Sequence, residues 1–261
     1  MTDAIATELL AFANQIADEA RAIVAEAVQT AHTVSYKADR SFVTTTDRAI
    51  EKRLRERIEA AYPDHGILGE EFGSYGLDRE FVWVIDPIDG TAAFIAGIPV
   101  YGTLIGVARA TLPWLGVMDL PATRERMSGI AGVSATHNGT PVRCKPSDKL
   151  ERAFLTSSNP SFLTDAEREA VGRLGQAVSF IQYGGSCYAY GCLARGHTDL
   201  AVDGGLDPYD VFATAAIIEG AGGVVSDWAG RPIDLNWKGQ IAAAGDRALH
   251  GEALAKLSAA S

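Results

Sequence analysis

At 261 residues with 47% hydrophobic content, the chain is long enough for one large or two modest domains with real cores, which excludes disorder as its resting state. A formal net charge of -10 repels phosphate backbones, which excludes a general nucleic-acid-binding surface. The opening stretch MTDAIATELLAFANQIADEA mixes acids into its apolar residues, with neither a basic leader nor a run able to span a bilayer, and so predicts a cytoplasmic protein that meets no membrane.

Ile5, Leu9, Phe12, Ala13 and Ile16 recur at helical spacing and predict a first helix. A second is predicted from about Thr46 to Ala61, with charged residues on its outer face. Between them, SYKADRSFVTTTD is polar and reads as a loop or short hairpin. Strands follow at FVWVID, YGTLIGVARA, LPWLGVMDLP and RERMSGIAG, with Thr111 to Pro113 as a hairpin turn, which predicts an antiparallel meander. Beyond NGTPVRCKPSDK, rich in turn formers, the pattern alternates: strand AFLTSS, helix from Asp165, strand SFIQYG, helix from Cys187, strand TDLAVD, helix from Tyr209, strands GVVSDW and QIAAAG, and a terminal helix. The expected organisation is an α+β half, residues 1–145, followed by an α/β half, residues 146–261. There is no internal repeat and no low-complexity tract. Cys144, Cys187 and Cys192 are odd in number and lack CxxC spacing, so they read as packed thiols. His32, His65, His137, His197 and His250 lack metal-binding spacing and read as surface or packing residues.

The run WVIDPIDGTAAF concentrates the chemistry. A buried strand that ends on Asp86, followed by a tight PIDGT turn and a helix, puts Asp86 and Asp89 at a strand's carboxyl end, where α/β folds gather ligands. Pro87 stiffens the turn, Gly90 permits close backbone approach, and the Gly90 and Thr91 amides can receive a phosphate. Upstream, HGILGEEFG sets Glu70 and Glu71 in a turn; downstream, Asp210 falls in the first turn of a helix. Hard divalent cations such as Mg²⁺ take oxygen ligands, and this density of carboxylates suits two of them. Each acid also has a plain structural role. Asp86 and Asp89 can cap a helix, Glu70 and Glu71 can sit in a solvated turn, and Asp207, Pro208 and Asp210 make an ordinary helix start. Asp47 in TTTDRAIE can serve a helix capped by Thr44 or Thr46. Spacing alone leaves both roles open.

GEE at 69–71, DPIDGT at 86–91, YD at 209–210 and EGAGG at 219–223 together resemble the metal-dependent inositol-monophosphatase family, in order and across nearly the whole chain. TTTDRAIE, GILGEEFG, GTLIGV, YAYGCLARGHTDL, PYD and IIEGAGGVVSDWAG are most similar to its histidinol-phosphate phosphatase branch. The resemblance implies a layered α-β-α-β-α sandwich and Mg²⁺-assisted hydrolysis of a small phosphomonoester, with two or three ions per site. It places Glu70, Asp86 and the Ile88 carbonyl around one ion, and Asp86, Asp89 and Asp210 around a second. Glu70, Thr91 and Asp47 become the catalytic group, with Thr91 and Asp47 orienting a water and taking up its proton. Gly90 and Thr91 receive the phosphate.

The substrate's other half is less determined. Asp203 falls where the family contacts the leaving group, and its carboxylate can meet sugar hydroxyls or an ammonium. Ala92, Ser186 and Asp207 depart from the histidinol-phosphatase pattern, which has lysine, aspartate and lysine there. Ser186 and Arg124, with Arg126 nearby, are further substrate-side candidates. Histidinol phosphate is the expected substrate. Inositol 1-phosphate, a broad range of sugar phosphates and nucleotides, or a purely regulatory binding role on this fold are the alternatives. The family resemblance also implies a homodimer.

Overall fold

A computed structural model describes residues 3–29, 34–36, 42–147 and 149–258; His32 and residues 37–41 lie outside the described residues. Helix α1 (Ala4–Ala27) starts on Asp3, whose side chain accepts the Ile5 N–H, and buries Leu9, Ala13, Ile16, Ala17, Ala20 and Val24; Ile5 stays exposed. Strands β1 (Val34–Tyr36) and β2 (Phe42–Thr44) pair antiparallel, the second of the two readings, loop or short hairpin, that the sequence left open. Helix α2 (Thr45–Ala61) opens on a capping box between Thr44 and Asp47. Next come β3 (Gly66–Gly69), β4 (Gly73–Tyr75), β5 (Phe81–Asp89), α3 (Thr91–Ala96), β6 (Gly102–Arg109), β7 (Leu112–Leu120), β8 (Glu125–Ile130), β9 (Ser134–His137) and β10 (Thr140–Pro141). The second half contributes β11 (Phe154–Ser157), α4 (Asp165–Ala177), β12 (Phe180–Tyr183), α5 (Ser186–Ala194), β13 (Leu200–Leu206), α6 (Pro208–Gly220), β14 (Val224–Ser226), β15 (Gly239–Ala244) and α7 (Arg247–Ser258).

Three sequence expectations change. Strand β5 does not end at Asp86 but runs on to Asp89. The β6–β7 hairpin turns at Ala110 and Thr111, not at Thr111 to Pro113; both have positive φ, the backbone that a two-residue hairpin loop requires. Strands β3, β4, β9 and β10 were not legible, because each is four residues or shorter and lacks an alternating apolar run.

The strands make an eight-stranded sheet, β10-β9-β8-β7-β6-β5-β3-β4, and a five-stranded sheet, β12-β11-β13-β15-β14. The large sheet is antiparallel except where β3 runs parallel to β5. Alternation along the strands then sorts the cores. Trp83, Ile85, Ile105 and Val117 face α1 and α2, whereas Val82, Val84, Leu104 and Met118 face α5 and α6. In the small sheet, Ala201, Ile241 and Ala243 face that same inner layer, while Val202 and Ala242 face α4 and α7. The result is the expected sandwich: α1/α2, large sheet, α5/α6, small sheet, α4/α7.

Helix α6 lies in the middle, and Val211, Phe212, Ala213, Thr214, Ala215, Ala216, Ile217 and Ile218 are all buried, as a helix clasped between two sheets requires. Its bed is a row of glycines. Gly106, Gly116 and Gly129 stand opposite one another on β6, β7 and β8. A Cβ on Gly116 would meet the Ala213 carbonyl oxygen at 2.3 Å, and one on Gly129 the Ile217 Cα at 2.7 Å. Without side chains there, the helix backbone rests directly on the sheet, and this contact sets where its first turn, carrying Asp210, arrives.

Candidate active site

Residues three apart on a regular strand point to opposite faces, so Asp86 and Asp89 would be separated by the sheet. A bulge prevents this. Asp86 pairs with Leu104 and Asp89 with Gly102, so four residues of β5 span the length of three on β6. The extra residue restores parity and turns both aspartates to the inner face, the side on which α6 lies. Pro87 is tolerated at this irregular point, and its carbonyl accepts the Thr103 hydroxyl at 2.8 Å. Gly90 follows with φ of 77° and starts α3 at Thr91.

Asp210 comes in from α6. It closes a capping box, accepting the Asp207 N–H at 2.7 Å on one oxygen, so the structural role open in the sequence is also real. Each of Asp86, Asp89 and Asp210 offers a carboxylate oxygen within 4.8 Å of the other two. Glu70, at the β3–β4 turn, lies near enough for its charge to act on Asp86. Asp89 is held by the start of α5, where the Cys187 N–H donates to it at 2.6 Å.

Such crowding is unfavourable without positive charge. Burial pushes Asp86 well above the ordinary carboxylate range, and the charges of Glu70, Asp89 and Asp210 push it further. Asp89 is raised by burial to about 6 despite the Cys187 N–H, and burial likewise raises Asp210 against the pull of the Asp207 N–H. Asp86 is 1% exposed, and its Oδ1 has no hydrogen-bond partner in the protein. A buried, orphaned carboxylate oxygen facing two more acids fits a divalent cation, and oxygen-only donors fit a hard one. No histidine or cysteine joins this set among the described residues.

Asp47 and Thr91 meet beside the cluster. Asp47 lies in the first turn of α2, where one oxygen accepts the Thr44 N–H at 2.8 Å and the other lies 3.5 Å from the Thr91 hydroxyl. Burial raises its pKa, partly offset by the bonds from Thr44. The Thr91 hydroxyl also donates to the Ile88 carbonyl at 3.0 Å. Glu71 turns away from the three aspartates towards α2, with its carboxylate 3.9 Å from Arg48.

The substrate-side candidates divide. Asp203 is 4% exposed and already accepts from Ser158 N–H at 2.5 Å, the Ser157 hydroxyl at 3.3 Å and the Tyr190 hydroxyl at 2.7 Å. It still lies near enough to raise the Asp89 pKa. Ser186 has φ of 47° and sits against the DGT turn: a Cβ on Gly90 would fall 2.6 Å from its hydroxyl oxygen. Arg124 is exposed in the β7–β8 turn, at the same end of the sheet as Asp89, and makes no hydrogen bond or ion pair to the acids. Arg126 is tied instead to Asp119 at 2.6 Å and Asp18 at 2.8 Å. Sequence reasoning missed Glu51, Tyr190 and the Cys187 amide. Glu51 carried a signal, four residues after Asp47 on an otherwise exposed-looking helix; a backbone amide carries none. The cysteines are free thiols, raised in pKa by burial, and His250 is buried against Ser226.

The sequence profile of the inositol monophosphatase family matches residues 6–261. The bifunctional phosphatase IMPL2, chloroplastic, of Arabidopsis thaliana is 36% identical over 265 residues, 96% of this chain and 76% of that protein. The histidinol-phosphatase of Chlorobaculum parvum is 33% identical over 208 residues, covering 79% of this chain and 80% of that one. Among solved structures, an inositol monophosphatase from Zymomonas mobilis superimposes with a TM-score of 0.89 at 34% identity, over 99% of this chain and 100% of that chain. The chain therefore belongs to the inositol monophosphatase family and is a metal-dependent phosphomonoesterase.

Proposed function

We propose that this enzyme hydrolyses L-histidinol phosphate to L-histidinol and inorganic phosphate in the cytoplasm, using two or three Mg²⁺ ions per site and acting as a homodimer. The observation that carries the metal chemistry is the inward-facing Asp86, Asp89 and Asp210 set, with an orphaned oxygen on Asp86. In this reading the 1–145 half supplies Glu70, Asp86, the Ile88 carbonyl and Asp89, and the 146–261 half supplies Asp210 and the substrate pocket. When bound, the ions provide Lewis acidity, drawing charge from the phosphoryl oxygens and making a water more acidic. The Thr91 hydroxyl and Asp47 carboxylate orient that water, and Asp47, its proton affinity raised by burial, receives its proton. The Gly90 and Thr91 amides hold the phosphate, and Asp86, Asp89 and Asp210 would hold the ion that neutralises the departing alkoxide, which takes a proton from solvent water to leave as L-histidinol.

The histidinol assignment is supported by the YAYGCLARGHTDL and PYD stretches and by the likeness to a histidinol-phosphatase. Asp203 has three of about four acceptor positions occupied, which suits attraction of an ammonium better than a network of hydroxyls. The likeness to an inositol monophosphatase at 34% identity favours inositol 1-phosphate as the second reading. The test is phosphate release with Mg²⁺ from L-histidinol phosphate, myo-inositol 1-phosphate, and a panel of sugar phosphates and nucleotides, compared by kcat/KM. Preference for the first supports the proposal. Preference for the second or a flat profile overturns the substrate, and silence on all of them restores the regulatory alternative.

A further inference from the structure

We propose that Glu51 is a positioning residue for the metal site: it fixes the turn that presents Glu70, so that its loss weakens cation affinity more than it slows the chemistry. The inference rests on the reading of the acid cluster as a divalent-metal centre.

Asp47, Glu51 and Arg55 are four residues apart on α2 and share one face of it. The first turn presents Asp47 to Thr91, and the next presents Glu51 to the β3–β4 turn. The Glu51 carboxylate is 0% exposed and accepts two successive backbone amides, Glu71 N–H at 2.7 Å and Phe72 N–H at 3.1 Å. Arg55 clamps it through Nε at 2.8 Å and donates onward to the Gly73 carbonyl. The preceding amide, Glu70 N–H, donates to the Ile85 carbonyl on β5 at 3.2 Å. Three consecutive amides are thus tied down on either side of the Glu70 side chain, whose charge acts on Asp86.

Glu51 also explains the glycine of GEE. A Cβ on Gly69 would fall 2.0 Å from Glu51 Oε1 and 2.8 Å from the Arg55 guanidinium, so the residue before Glu70 has no side chain because Glu51 takes its space. A buried ion pair is a poor device for stability alone, since apolar packing of equal volume does as well or better. Backbone amides that must hold a loop in one place need a charged acceptor, and a carboxylate bonded to a metal ligand's own loop orients that ligand.

The experiment compares full-length wild type, Glu51→Gln, Gly69→Ala and Asp86→Asn. Calorimetric titration with Mg²⁺ alone gives affinity, and hydrogen exchange in EDTA-treated protein gives protection of the Glu71 and Phe72 amides. Glu51→Gln is expected to weaken Mg²⁺ binding by about 10- to 100-fold, with kcat at saturating Mg²⁺ within about tenfold of wild type. Exchange at both amides should accelerate in the metal-free protein, where cation loss cannot be the cause. Gly69→Ala, which displaces Glu51 without altering α2, should act in the same direction and answers the question if Glu51→Gln does not fold. Wild-type Mg²⁺ affinity and amide protection in both variants would overturn the proposal, as would a loss of kcat with affinity unchanged. Asp86→Asn separates the two ideas: if it loses Mg²⁺ binding while the other variants keep it, only the role of Glu51 fails, and if it keeps Mg²⁺ binding the metal-centre reading itself fails.

Discussion

Replacing Asp86 by Asn should make the metal-free protein more stable while removing the response to Mg²⁺. Asp86 offers an oxygen within 4.8 Å of both Asp89 and Asp210. At that separation and an effective dielectric of about 20, two unit charges repel by roughly 3.5 kcal/mol. Retained protons relieve part of this in the empty site, so exchanging the carboxylate for a neutral amide of the same shape should gain about 1 to 3 kcal/mol. For a chain of this size that is a rise of about 2 to 10 °C in Tm. The wild type should instead gain about 2.7 kcal/mol from Mg²⁺ at a hundredfold excess over Kd, and the variant almost nothing. Thermal unfolding in EDTA and in Mg²⁺ gives both quantities, and phosphate release should fall to near background in the variant. A metal-free Tm at or below wild type, combined with an undiminished Mg²⁺ shift, would refute the reasoning that these acids are held together for a cation.

Gly116→Ala should destabilise by about 1 to 3 kcal/mol in urea unfolding, because the new methyl meets the α6 backbone, and it should weaken Mg²⁺ binding by displacing Asp210. Gly172→Ala is the control: nothing lies within 4 Å of a Cβ there, and an alanine inside α4 should stabilise by about 0.5 to 1 kcal/mol. Tyr190→Phe removes the 2.7 Å donor to buried Asp203 and should cost about 1 to 3 kcal/mol, read from the same urea curves. Burial lowers the pKa of His250, so the unfolded chain binds more protons once the pH drops below the ordinary histidine value. Its contribution to stability is therefore present above that value and lost as the pH falls through the folded one. The urea midpoint of wild type should drop relative to His250→Gln between pH 7.5 and pH 5, and a flat difference would contradict this.

The long helices and the sense of the meander were legible in the residues, because hydrophobic periodicity depends only on neighbours in the chain, whereas the layering and the choice of acids came from the resemblance that the DPIDGT and GEE words carry. Helix α1, helix α2 and strands β5 to β8 follow from that periodicity. What sequence could not show was parity and placement. The bulge that turns Asp86 and Asp89 to one face exists only in the pairing of β5 with β6. The arrival of Asp210 depends on glycines on three different strands, and the burial of Glu51 depends on a turn twenty residues away. Local sequence determined which side chains could bind a metal ion and a phosphate. Only the tertiary structure decided which of them meet, because a carboxylate's partners, burial and proton affinity are properties of the surfaces packed around it, not of its own segment.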